Sequence, residues 1–126
     1  MLPTKKDLDN ALKILGSKYL KEPWKSKWTP SCPVMGYCYA VCVLLLYTNR
    51  DTLSPQRVVM PDGSPHYYLT HKVTGEIVDM TVEQWETTPK YSEGKYSRAL
   101  WVNSFPRATC ELADILGLEL TLRYAC

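Results

Sequence analysis

The stretch GYCYAVCVLLLY, residues 36–47, constrains this chain more than any other. From 38 to 47 it carries no charged side chain. Apolar residues fall on every side of a helix built from it, not on one stripe. The helix predicted over 37–48 must therefore be enclosed all round, and the remaining elements must wrap it. Its apolar run at 40–46 is far too short to span a bilayer.

The flanking segments supply a wrapping of both kinds. Residues 4–20 read as an amphipathic helix, with Thr4 as cap, Asp7 as its capping-box partner, and Leu8, Leu12, Leu15 and Tyr19 on one stripe. Residues 21–33 read as a loop punctuated by Pro23, Pro30 and Pro33, with Trp24 and Trp28 folded back as a cover. Residues 52–65 read as loop with one strand at 57–60. HYYLTHK and EIVDM, starting at His66 and Glu76, read as a hairpin around Thr74-Gly75. After an irregular excursion at 82–100, a short strand is predicted at 98–103. A helix follows from Pro106 to about Leu116, with Gly117 as C-cap. A closing strand is expected from 118. The order predicts an α+β domain with a central helix on a mostly antiparallel sheet. The whole chain, 1–126, reads as one domain: an N-terminal helix in 1–22, a core over 24–117 and the closing strand at 118–126.

Charge and cysteine usage narrow the function classes. The net charge of +2 is too small to argue for nucleic acid. The basic excess sits in residues 1–30, where seven Lys face Asp7, Asp9 and Glu22, and it reads as a solvated helix face. The N-terminus is polar rather than a secretory signal, and the five cysteines are odd in number. Both features point to free thiols in a reducing cytoplasm. Cys32, Cys38, Cys42, His66 and His71 are all metal-ligand types, yet there is no C-x-x-C or H-x₃-H pair, so no metal site is expected. No phosphate-binding or dinucleotide-binding motif is present, and no cofactor is expected.

One thiol stands apart. Cys38 falls in the first turn of the central helix, directly after Gly36-Tyr37. Unsatisfied N–H groups and partial positive charge at a helix N-terminus favour a thiolate. Cys42, one turn deeper, should be buried and inert. A thiolate nucleophile needs an imidazole within reach. His66, Tyr68 and Thr70 share one face of their strand; Tyr67, Leu69 and His71 share the other. Only one histidine can face the central helix, and His66, at the end of an element, is the better placed. Asp79 could orient His66 from the returning strand. A two-residue Thr74-Gly75 turn would instead pair Asp79 with Thr70, so that contact requires a longer loop or a bulge. The plainer role for Asp79 is an Asx cap on the turn that follows.

The lead-in tryptophans, then GYCYAV, HYYL and EIVDMTVEQW, resemble the YunG family of small bacterial and phage proteins. The resemblance covers roughly residues 24–117, and Asp79, Thr81, Gln84 and Trp85 are its most specific part. It implies a compact papain-like or transglutaminase-like fold, with Cys38, His66 and Asp79 as the triad of a cysteine hydrolase. Relatives often carry Gln directly before the Cys, where this chain has Tyr37. That leaves the Cys38 backbone N–H as an oxyanion donor, with Tyr37 and Gln84 as supporting candidates; Gln84 is either a second donor or a brace. The expected activity is cysteine-dependent acyl transfer of the amidase, peptidase or deamidase type. Its expected substrate is a small amide or a peptide, with no membrane partner. The alternative is a silent scaffold that binds a host protein.

Overall fold

The computed structural model describes residues 2–120. Four helices pack on a four-stranded antiparallel sheet. The helices are α1 (Lys5–Leu15), α2 (Trp24–Lys27), α3 (Cys38–Thr48) and α4 (Arg107–Leu116). The strands are β1 (Leu53–Val59), β2 (Pro65–His71), β3 (Ile77–Val78) and β4 (Lys95–Tyr96), in sheet order β3-β2-β1-β4.

The apolar run forms α3, as expected, and every residue from Ala40 to Tyr47 is buried. Each fully buried leucine contributes roughly 1.5–3 kcal/mol of transfer free energy. One side of α3 lies on β2 and β1; α4 covers another, and α1 packs on α4. Thr4 caps α1 by accepting the Asp7 N–H, and Leu8, Leu12 and Leu15 point into the core. The helix stops at Leu15 rather than running to 20, because Gly16 turns the chain at φ +62°. At the other end Gly117 closes α4 in the left-handed conformation.

Several expectations change. The strand predicted at 57–60 begins at Leu53 and includes Pro55. Pro55 is tolerated because its carbonyl and its nitrogen face the β4 side, where only a two-residue strand and the Ser97 N–H meet them. The strand expected at 98–103 is instead a 3₁₀ turn, Arg98–Leu100. Leu100 is buried there, and the segment is drawn to α3, where the Tyr47 hydroxyl bonds both the carbonyl and the N–H of Val102. Residues 118–120 carry no regular structure, and the rest of the expected closing strand lies outside the described residues. Cys32, Cys38 and Cys42 are free thiols, but Cys110 is disulfide-bonded. The disulfide at Cys110 departs from the expectation that the thiols are free. Among the described residues no helix is long and apolar enough to cross a membrane.

The sheet has a different apolar cluster on each face. Leu53, Leu69, Tyr67 and Val78 belong to the core with the helices. Val58, Met60 and Tyr68 form a second cluster on the other face, closed by Trp85 and Tyr91.

Candidate functional site

Cys38 is the first residue of α3 and is half-buried. The turn that delivers it runs through Gly36 at φ +78°, a conformation that side chains rarely adopt. A Cβ at Gly36 would come within 2.8 Å of Trp24 Cβ and 2.9 Å of a Leu20 methyl, so the approach also requires glycine. The Gly36 N–H donates to Gln84 Oε1 (3.2 Å), and the Gln84 amide donates to Thr81 Oγ1 (3.2 Å). Gln84 thus ties the turn before Cys38 to the segment after β3, which is the bracing arrangement. The Tyr37 side chain is buried, and its hydroxyl donates to the Gly16 carbonyl at the end of α1 (2.7 Å). Burial pushes that phenol up to about 12. Tyr37 anchors α1 and does not reach the thiol's surroundings with its hydroxyl.

His66 is the second residue of β2 and is fully buried. Its Nε2 lies 2.6 Å from Asp79 Oδ2, and both side chains are almost wholly enclosed (0% and 4% exposed). The hairpin register explains the meeting. The loop at 72–75 is closed by the Gly75 N–H on the His71 carbonyl and the His71 N–H on the Glu76 carbonyl. Leu69 then pairs with Val78 and Thr70 with Ile77. Continued one residue further, that register sets Asp79 level with Tyr68, diagonal to His66 on the same face. The expected longer loop is therefore the device that brings the carboxylate to the imidazole. Asp79 also keeps its plainer role: the Thr81 N–H donates to its other oxygen at 3.4 Å.

The face on which His66 lies was not anticipated. Leu69 and Tyr67 point to the helical core, while Tyr68 lies in the opposite cluster and stacks near the His66 ring at 6.2 Å. The Cys38 thiol is nonetheless among the groups that raise the proton affinity of the imidazole. Burial lowers the proton affinity of His66. Asp79 and then Cys38 outweigh it and raise the pKa from 6.5 to about 9. His71 is elsewhere: its Nδ1 accepts the Val73 and Thr74 N–H groups and braces the hairpin loop. Cys42 is buried, and burial pushes its thiol well above the ordinary value. Among the described residues no three His, Cys, Asp or Glu side chains converge to hold a metal ion.

Two further participants were given no role in the sequence reading, where Trp85 stood only as part of the family resemblance. The Tyr91 hydroxyl donates to Asp79 Oδ2 (2.7 Å), and the Trp85 indole N–H donates to His66 Nδ1 (2.8 Å). Both come from the irregular excursion, where the 3₁₀ turns Val82–Gln84 and Tyr91–Glu93 fold the chain back over the second cluster. Apart from that resemblance, the available signal was chemical: a buried Tyr or Trp must find a partner for its polar end. Beside Trp85 lies a cleft of about 760 Å³ whose walls include Trp24, Met35, Met60, Asp62 and Gln84.

Compared with known proteins, the chain is 31% identical to the uncharacterized protein YunG of Bacillus subtilis (strain 168) over 83 residues. That stretch is 63% of this chain and 68% of YunG. No protein-family model and no solved structure matches the chain.

Proposed function

The chain belongs to the YunG family, and from that premise we propose that it is a cysteine-dependent acyl-transfer enzyme of the amidase, peptidase or deamidase type. The observation that carries this reading is the buried His66–Asp79 pair, 2.6 Å apart, with the thiol at the start of the central helix among the groups that raise the imidazole's proton affinity. A compact papain-like or transglutaminase-like arrangement fits the same facts: Cys at a helix N-terminus, then His from a strand and Asp just beyond its neighbour, in that chain order.

The chemistry assigns one role to each group. Cys38 Sγ attacks the carbonyl carbon of an amide while its proton passes to His66. Nε2 is engaged with Asp79, so Nδ1 is the nitrogen that receives it. The C–N bond breaks and His66 returns the proton to the departing amine, leaving a thioester on Cys38. Water, or another nucleophile, then gives up a proton to His66 and attacks the thioester, and the proton goes back to the sulfur. Asp79 holds the ring and stabilises the imidazolium, and Tyr91 holds Asp79. The Cys38 backbone N–H, at the open end of α3, is the donor for the oxyanion.

A second reading has its own support. His66 is fully buried and both of its nitrogens are occupied, as in a silent scaffold that binds a protein partner. Acetylation by p-nitrophenyl acetate separates the two, read by mass spectrometry of the intact and digested protein. The enzyme reading expects one acetyl thioester on Cys38 that turns over, and its loss in His66→Ala. Equal, slow acetylation of Cys32, Cys38 and surface lysines would overturn it.

A further inference from the structure

Building on the acyl-transfer reading, we propose that Trp85 is a gating and positioning residue. Its indole N–H occupies the one imidazole nitrogen left to receive the Cys38 proton, and its ring walls His66 off from the neighbouring cleft. The site becomes competent when the indole swings away.

The geometry leaves His66 no spare nitrogen. Nε2 lies 2.6 Å from Asp79, and Nδ1 lies 2.8 Å from the Trp85 nitrogen. An indole N–H is a donor only. While that bond lasts, Nδ1 must present a bare lone pair, so the ring is the neutral Nε2–H tautomer. An imidazolium would set N–H against N–H. The base step requires a proton at that same atom, so the bond has to break first. Of the groups facing the ring, Asp79 beyond β3 and Cys38 from α3 favour the charge; Tyr91 holds Asp79 from behind, and Tyr68 stacks alongside from β2. The Trp85 N–H, like burial, opposes it.

Position makes the indole movable. Trp85 ends the Val82–Gln84 turn and is half-buried. Its ring meets His66 edge-on at 5.6 Å and Trp24 edge-on at 5.7 Å. It lines the cleft, whereas His66 does not and is fully buried. A ligand packed into the cleft against Trp24 competes for the place of the Trp85 ring. Displacing that ring exposes the imidazole and frees Nδ1 in one movement. Substrate binding and activation of the base are thereby coupled.

Nitrogen-15 NMR of the imidazole tests this in the unaltered protein. Above the pH at which His66 charges, it should show the neutral ring protonated at Nε2 and bare at Nδ1, with a slowly exchanging Trp85 indole proton. A proton resident on Nδ1 would overturn the proposal, and this measurement stands even if variants fold poorly. Trp85→Phe keeps an aromatic ring and removes the donor. It should raise the pH at which His66 charges by about one unit, a tenfold change in proton affinity. Cys38 should then react several-fold faster with iodoacetamide, and adding His66→Gln should cancel that gain. An unchanged His66 titration, in a variant whose Cys38 still depends on His66, removes the gate and leaves the acyl-transfer reading standing. A shifted titration with Cys38 indifferent to His66 removes both.

Discussion

At His66 three neighbours pull the proton affinity in different directions. Burial lowers it, Asp79 and Cys38 raise it to about 9 from an ordinary 6.5, and the Trp85 N–H resists the charged ring. A group whose proton affinity rises on folding stabilises the fold fully below its unfolded value. That stability is lost as the pH climbs through the folded value. The window here is pH 6.5 to about 9. The melting temperature should fall across it relative to a His66→Gln reference. The fall should extend to higher pH in Trp85→Phe, where nothing holds the ring neutral. Differential scanning calorimetry at half-unit pH steps checks this, and a Trp85→Phe profile that levels off at the same pH as the unaltered protein would contradict it. Much of this residue's surroundings was legible beforehand. Cys38 stood out because it opens an apolar helix, and Asp79 because a carboxylate among Ile77, Val78 and Met80 needs a partner. Trp85 was not legible, because no pattern in sequence reports that Val82–Gln84 will reverse the chain onto an imidazole.

The elements show a similar division. The α3 helix could be read directly, since its composition leaves no exposed face. The Thr74-Gly75 signal marked the hairpin but not its register. A two-residue turn and the observed loop at 72–75 share that dipeptide, and only the latter's closing bonds bring Asp79 to the level of Tyr68. The β4 strand was missed because Lys95–Tyr96 has no hydrophobic alternation and both residues are exposed; it exists by pairing with Gln56 and Arg57. Its approach depends on Gly94. A Cβ there would fall on the Tyr68 hydroxyl, which itself donates to the Tyr91 carbonyl. Gly94 has an ordinary φ of −69°, so the requirement is space and not backbone strain. Gly94→Ala should cost about 1–3 kcal/mol in urea unfolding, and should loosen the Tyr91 hydrogen bond to Asp79 along with it. A loss under about 0.5 kcal/mol would mean that Tyr68 and Gly94 are not in close contact.

On the scale of the whole molecule, the buried helix acts as an axle for the candidate site. Its N-terminus fixes the sulfur, β2 carries the imidazole, the hairpin returns the carboxylate, and the excursion after β3 folds Gln84, Trp85 and Tyr91 over all three. No one of these segments brings a complete set of groups, so the site depends on the packing of helices and sheet together. The most direct test of this account is the rate at which iodoacetamide alkylates Cys38, followed by peptide mass spectrometry from pH 5.5 to 9. The account predicts alkylation at Cys38 ahead of Cys32 and Cys42, persisting below neutral pH and falling at least about tenfold at pH 6 in His66→Ala. Slow labelling of all three thiols, rising only in alkali and indifferent to His66→Ala, would contradict it.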